Sequence, residues 1–271
     1  MKLTSFLCLL SASGAHAYRN ATWERFPSSP TIDIQTTQIS LPESKVAALE
    51  RDLDRNVNFI RTYENTQDDQ QLGLTMDWMD SAIDTWRTIS WREAEAAMNR
   101  HPHFMTNITY DEGEEELQVH FMALFSGRAD ATPIVLLHGW PGSFLEFMAV
   151  LDIIKTRYTP ETSPYHIIVP SLPGFTLSAG PPVRSTWRMN DTAAVVDTLM
   201  EGLGFSAGYI AQGGDIGSLI AQRLAAMSES CKGNPNLLLV SLVWSSRLLM
   251  DSHPPEHDSL DPTCFSPTSG E

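Results

Sequence analysis

From Pro42 the apolar residues Val46, Leu49, Leu53, Val57 and Ile60 recur at three- and four-residue steps, which gathers them on one face of a helix. A second helix is predicted over Thr75 to Ile89, burying Met79, Ile83 and Trp86. A third opens on Ser90-Trp91-Arg92-Glu93, an S-x-x-E capping box in which the Ser hydroxyl and the Glu carboxylate take up free backbone N–H groups. Ahead of these helices, Tyr18 to about Leu41 is rich in Pro and Thr without a period and is expected to be an extended lead-in. The texture changes after Thr109. Short apolar runs follow at Leu117 to Phe125, Pro133 to His138, His166 to Pro170, Gly208 to Gln212 and Leu237 to Trp244. They alternate with helical stretches at Ser143 to Ile154, Asp191 to Leu203 and Ile216 to Met227. Runs so continuously apolar do not suit a sheet with one wet face. Their alternation with helices implies an α/β fold, a mostly parallel sheet with helices on both faces, preceded by a small helical amino-terminal domain.

Composition narrows the class of partner. With 42 % hydrophobic residues, seven Trp and eleven Phe, the chain of 271 residues can build a core. Thirty-three acidic against 18 basic residues give a net charge of −15, which disfavours nucleic acid and anionic lipid as partners. The first residues read as a secretory signal peptide: Met1-Lys2, the apolar run Leu3 to Leu10, then Ala15-His16-Ala17 before a cut at Tyr18. An uncleaved anchor is the alternative, but the run falls short of the roughly 18–20 residues that span a bilayer, and no later stretch supplies them. A secreted or secretory-pathway protein is therefore expected. Asn20, Asn107 and Asn190 each head an Asn-x-Thr glycosylation sequon, and Cys231 and Cys264 remain as a candidate disulfide once Cys8 leaves with the signal. From Met250 the chain is dominated by Pro, Ser and Asp and is expected to be a loose polar tail. The expected division is a signal over 1–17, an amino-terminal domain over 18–110, a partial α/β core over 111–249 and the tail over 250–271.

The segment Gly213-Gly214-Asp215-Ile216-Gly217-Ser218 follows the run GYIAQ and precedes a helical pattern. Strand, small residue, x, nucleophile, x, small residue, helix is the layout of a nucleophile elbow, here with Asp215 at the centre. Taken alone, an Asp before a helix reads first as an N-cap. A phosphate loop fits poorly because no Lys follows the glycines. A second motif favours the elbow: His138-Gly139-Trp140-Pro141-Gly142-Ser143 follows the run PIVLL, where an elbow enzyme takes its second oxyanion donor. The donors would be the main-chain N–H groups of Trp140 and Ile216, with a cis Trp140-Pro141 bond an open alternative and His138 in a structural role. An Asp rather than a Ser fits alkyl transfer, since a carboxylate leaves an ester that water can cleave, whereas a serine would leave an ether.

HGWPGSFLEF, then SLPGF at Ser171 to Phe175, then GGDIGS resembles the motif order of the α/β-hydrolase-fold epoxide hydrolases. Asp77-Trp78 and SWREAEAAMNRHPHF from Ser90 are similar to the amino-terminal domain of the microsomal and juvenile-hormone type, and the likeness runs from about Ile32 to about Lys232. The resemblance implies an α/β-hydrolase fold, Asp215 as nucleophile, an oxyanion donor at Trp140, a small apolar epoxide as substrate, and no cofactor or metal. It also implies a His base oriented by an acid and two Tyr on a helical cap. After Asp215 the chain has no Tyr, and its only later histidines are His253 and His257, in HPPEH beside Glu256 and Asp258. Those two are the base candidates. Pro254-Pro255 argues against a helix, and so against a metal pair, there. His101-Pro102-His103 is expected at the surface. The cap and last strands are not found, so the chain reads as carboxyl-terminally shortened, with Leu237 to Trp244 as an uncovered edge inviting self-association. Two functions follow. One is epoxide hydrolysis to a vicinal diol through an ester on Asp215. The other is a truncated or non-catalytic relative that binds an apolar ligand or partner without turnover. Haloalkane hydrolysis would use the same nucleophile, and a serine esterase is disfavoured because no G-x-S-x-G occurs.

Overall fold

The computed structural model describes residues 22–55, 59–67, 72–110, 115–183 and 186–232. Its strands are β1 (Ile34–Thr37), β2 (His103–Tyr110), β3 (Glu115–Leu124), β4 (Thr132–Leu137), β5 (Tyr165–Pro170) and β6 (Ile210–Gly213). They form one sheet in the order β1-β2-β3-β5-β4-β6. The pairings β1 to β2, β2 to β3 and β3 to β5 are antiparallel, and β4 runs parallel to both β5 and β6. The parallel half needs crossovers. They are supplied by α4 (Met148–Arg157), entered through a 3₁₀ turn at Phe144–Phe147, and by α5 (Met189–Met200), while α6 (Ile216–Met227) leaves β6.

The strict alternation of side chains along a strand divides the core in two. Phe104, Phe121, Val135, Leu137 and Ile168 face α5 and α6, where Val196, Leu199, Ile220 and Leu224 meet them. Met122, Leu124, Leu136, Ile167 and Val169 face the other way, against Phe144, Leu151 of α4 and Met98 of α3 (Trp91–Met98). The sheet is thus covered on both faces, as continuous apolar strands require. Among the described residues, cover is thin on the two edge strands, β1, where Gln35 and Thr36 are exposed, and β6, where Ile210 and Gln212 are.

Three expectations for the amino-terminal part need correction. β1 lies within the expected lead-in, and β2 falls where no element was predicted; the sheet therefore runs unbroken across residue 110, with Ile108 opposite Leu117 and Phe104 opposite Phe121. Polar His103, Thr106 and Asn107 hide the period of β2 in the sequence, yet Thr106 is buried because its hydroxyl donates to the Asp33 carbonyl at 2.7 Å. Second, α1 (Glu43–Leu53) stops before the apolar repeat ends: Val57 lies outside the described residues and Ile60 is 83 % exposed. Third, α2 (Met76–Arg87) starts at the predicted place, with Thr75 accepting from Trp78 N at 3.2 Å, but none of its residues is buried: Met79 and Ile83 are half-buried and Trp86 is 50 % exposed. The Ser90 cap of α3 is present, its hydroxyl accepting from Glu93 N at 3.4 Å. The signal over 1–17, the run Leu237 to Trp244 and the tail from Met250 lie outside the described residues. Within the described helices none is long and apolar enough to cross a membrane.

Candidate active site

β4 and β6 are parallel neighbours, so their carboxyl ends deliver two loops to the same edge of the sheet, the usual place for ligand chemistry in an open α/β sheet. One is His138 to Gly142, the other Gly214-Asp215. Asp215 carries φ 49° and ψ −123°, a left-handed conformation that is rare and costly outside glycine. Its side chain does not cap α6, which disposes of the N-cap alternative. Oδ1 instead accepts from Trp140 N at 3.3 Å, across the two loops. Among the described residues no hydrogen bond engages Oδ2, and Ile216 N, at the first position of α6, has no acceptor.

Glycine is required at three surrounding positions by approach rather than by φ. A Cβ on Gly139 would stand 2.7 Å from Asp215 Cβ and 3.2 Å from Gly214 O. One on Gly217 would strike the carbonyls of Leu137 and His138, and one on Gly213 would strike the backbone of Gly217. The small-x-Asp-x-small spacing therefore has a packing cause: the first turn of α6 presses directly on the ends of β4 and β6. The Trp140-Pro141 peptide is cis.

His138 is buried and structural. Its Nε2 accepts from Leu172 N at 3.0 Å, so the ring proton sits on Nδ1 and donates to the Gly139 carbonyl at 3.1 Å. The imidazole thus ties the loop after β4 to the loop after β5. Burial lowers its pKa from the ordinary histidine value.

The loop after β5 is held from below by a buried polar chain. His103 and His120, adjacent on β2 and β3, are not at the surface: His103 Nε2 donates to Met98 O at 3.0 Å, which leaves Nδ1 to accept from His120 Nε2 at 2.9 Å. His120 Nδ1 must then accept from the Ser171 hydroxyl at 2.8 Å, and Ser171 Oγ from the Thr176 hydroxyl at 2.7 Å. In this neutral arrangement all donors point one way, toward the Met98 carbonyl. His101 is buried too, its Nε2 3.3 Å from Asp152 Oδ1. The expected surface position of His101-Pro102-His103 is wrong because Pro102 leads directly into an inner strand, β2, and both flanking histidines are buried.

Burial lowers His120 to about 3 and His166 to about 4, and lowers His101 and His103 as well. The sign follows from proton uptake. Above about pH 6.5 neither the folded nor the unfolded chain protonates these rings, so their contribution to stability is flat. Below it the unfolded chain takes protons that the folded chain refuses, and stability falls by up to about 1.4 kcal/mol per pH unit for each ring. The loss continues down to about 4 for His166 and about 3 for His120. Urea unfolding is therefore expected to give a markedly lower midpoint at pH 5 than at pH 7; equal midpoints would contradict the neutral chain.

Glu146 had no assigned role in the sequence, although Ser143-Phe144-Leu145-Glu146 repeats the S-x-x-E signature seen at Ser90. Ser143 Oγ accepts from Leu145 N at 3.3 Å, and the nearby backbone N–H groups of Gly139 and Ser143 favour the charged form of the Glu146 carboxylate. It folds over Gly142, where any Cβ would collide with Oε1. Shielding from water raises the Glu146 pKa above its ordinary value, the two N–H groups oppose that, and the charge of Asp215 adds to it.

Of the other expected residues, His253, His257, Cys264 and Asn20 lie outside the described residues. Cys231 is buried and joined to Tyr209 by an isolated parallel β-bridge, and its expected partner Cys264 lies outside the described residues. Asn107 is exposed on β2, donating to Glu116 Oε2 at 3.2 Å, and Asn190 is exposed in the first turn of α5. Cavities of about 580 and 570 Å³ lie away from Asp215, the first beside His101 and Lys155, the second beside His166 and Gly208. Among the described residues no group of three His, Cys, Asp or Glu could hold a metal.

Residues 34–147 match the family model for the epoxide hydrolase N terminus, and residues 132–236 match that for the alpha/beta hydrolase fold. The epoxide hydrolase of Aspergillus niger is 43 % identical with a TM-score of 0.72, over 78 % of this chain and 54 % of that one. The juvenile hormone epoxide hydrolase of the silkworm Bombyx mori is 29 % identical with a TM-score of 0.61, over 73 % of this chain and 50 % of that one. Juvenile hormone epoxide hydrolase 1 of Ctenocephalides felis is 36 % identical over 161 residues, 58 % of this chain and 33 % of that protein. The chain spans about half the length, or less, of these relatives.

Proposed function

Across residues 34–236 the chain belongs to the α/β-hydrolase-fold epoxide hydrolases of the microsomal and juvenile-hormone type, and from that premise we propose that it converts an epoxide to a vicinal diol through an ester on Asp215. The observation that carries the proposal is the state of one side chain: Asp215 sits in a left-handed turn, spends nothing on its own helix, and takes one N–H from a second loop. Oδ2 attacks an epoxide carbon. The carbon–oxygen bond of the ring breaks, the new carbon–Oδ2 bond forms, and the released alkoxide takes a proton. Water then adds to the Asp215 carbonyl carbon and the acyl–Oδ2 bond breaks, so the diol departs carrying Oδ2. In that second step the charge gathers on Oδ1, where the Trp140 N–H already points and the Ile216 N–H can join it. The water must lose a proton, and His253 and His257 are the base candidates this reading carries forward. Incubation with a small apolar epoxide tests it, with diol release or an Asp215 adduct expected. Halide release from a haloalkane with the epoxide untouched would replace it with dehalogenation.

The same proposal places the protein in the secretory pathway, supported by the Met1 to Ala17 pattern and by the exposure of Asn107 and Asn190. Peptide-N-glycosidase treatment of the protein secreted from eukaryotic cells is expected to lower its mass; an unchanged mass would remove glycosylation from the proposal. Self-association through the apolar run Leu237 to Trp244 belongs with it, and sedimentation of the full chain is expected to show species larger than a monomer.

A further inference from the structure

We infer that His138 is a positioning residue for the oxyanion donor: its Nδ1–H holds the Gly139 carbonyl, and that turns the N–H of the same peptide, the one carried by Trp140, toward Asp215. The inference rests on the proposed ester chemistry and adds to it the side chain that aims the donor. Three hydrogen bonds run in series. Leu172 N–H donates to His138 Nε2 at 3.0 Å, His138 Nδ1–H donates to the Gly139 carbonyl at 3.1 Å, and Trp140 N–H donates to Asp215 Oδ1 at 3.3 Å. The first fixes the second, because a backbone N–H can only donate, so Nε2 must offer its lone pair and the ring proton belongs on Nδ1. The second fixes the third, because the peptide joining Gly139 to Trp140 is trans, and its C=O and N–H point in opposite directions. A restraint is needed at this place. A Cβ on residue 139 would stand 2.7 Å from Asp215 Cβ, so the position takes glycine, the residue least able to hold a peptide plane by itself. Trp140 cannot hold it with its own side chain, which is 68 % exposed, and among the described residues no other group donates to the Gly139 carbonyl. The far anchor is firm. His138 is buried with its ring edge-on to Phe175, centroids 4.9 Å apart, and Ser171, next to Leu172, is pinned to His120 through both its N–H and its hydroxyl.

The competing role is a purely structural tie between the two loops, and two variants separate them. An asparagine amide can take the place of Nδ1–H, and a glutamine amide oxygen that of Nε2. His138→Asn therefore keeps the hold on Gly139, and His138→Gln keeps the tie to Leu172. After a pulse of a small epoxide, formation and decay of the Asp215 ester are followed by mass spectrometry. In His138→Gln the decay is expected to slow about tenfold or more, part of the cost of losing an oxyanion donor outright. Formation should stay within about threefold of the parent chain, because ring opening draws charge off the carboxylate and only ester hydrolysis gathers it on Oδ1. In His138→Asn decay should return to within about threefold of the parent, although the unpaired Leu172 N–H lowers the urea midpoint. Equal slowing of formation and decay in His138→Gln, or slower decay in His138→Asn than in His138→Gln, overturns the inference. If the parent forms no ester, the functional proposal fails by itself and amide exchange decides the role of His138. The Trp140 N–H should then exchange about tenfold faster in His138→Gln and at the parent rate in His138→Asn; an unchanged rate in His138→Gln overturns the inference. Should neither variant fold, the imidazole ¹⁵N shifts of the parent decide: a proton on Nδ1 is expected, and a proton on Nε2 overturns it.

Discussion

Asp215→Asn is expected to abolish ester formation with an epoxide, reducing it by about 10⁴-fold or more, the scale on which removal of a nucleophile acts. The neutral amide keeps the shape of the side chain but lacks the charge that attacks carbon. The substitution isolates chemistry from folding, because Asn enters left-handed backbone at least as readily as Asp, and the native φ is 49°. Thermal unfolding should therefore shift little, by roughly 0.5 kcal/mol or less. Intact-protein mass after epoxide exposure reads the effect directly. Unchanged adduct formation in Asp215→Asn would place the nucleophile elsewhere.

Gly217→Ala is expected to produce the second large effect, and two opposing magnitudes decide its sign. Gly217 lies in the first turn of α6, where helix propensity alone would favour Ala by about 1 kcal/mol. Its Cβ, however, would run into the main-chain carbonyls of Leu137 and His138, which are fixed in β4 and in the loop that carries the Trp140 donor. Backbone cannot rotate away as a side-chain tip can, so a loss of about 1–3 kcal/mol is expected from overpacking. Because the strain falls between the two loops of the site, ester formation should drop together with the urea midpoint. A midpoint higher than that of the parent would mean that α6 does not press on β4 as described.

Much of this site was legible in the sequence, for a physical reason. GGDIGS and HGWPG are written in residues with few alternatives: glycines where backbone meets backbone, and a proline in the turn between them. The strands of the inner sheet were legible because both their faces are buried, which gives runs such as PIVLL and HIIVP. β2 was not, because its buried faces include His103 and Thr106, whose polar atoms are satisfied by partners far away in sequence, the Met98 carbonyl and His120 for one and the Asp33 carbonyl for the other. Propensity and period carry no trace of such partners. α1 was overextended because a helical period continued past Leu53 into residues the fold does not use as helix, and Ile60 ends exposed. Glu146 was overlooked although its capping signature was readable, because a capping box announces a helix start and says nothing of a side chain folded back over Gly142.

The central claim is that water reaches the substrate only by way of the Asp215 carboxyl group, and a single turnover in ¹⁸O-labelled water tests it most directly. With protein in excess over epoxide, the heavy oxygen should appear in the carboxylate of the peptide containing Asp215, and the diol of that first turnover should carry an unlabelled oxygen from the protein. Label in the diol with none in Asp215 would mean that water opened the ring directly, and the covalent account would be contradicted.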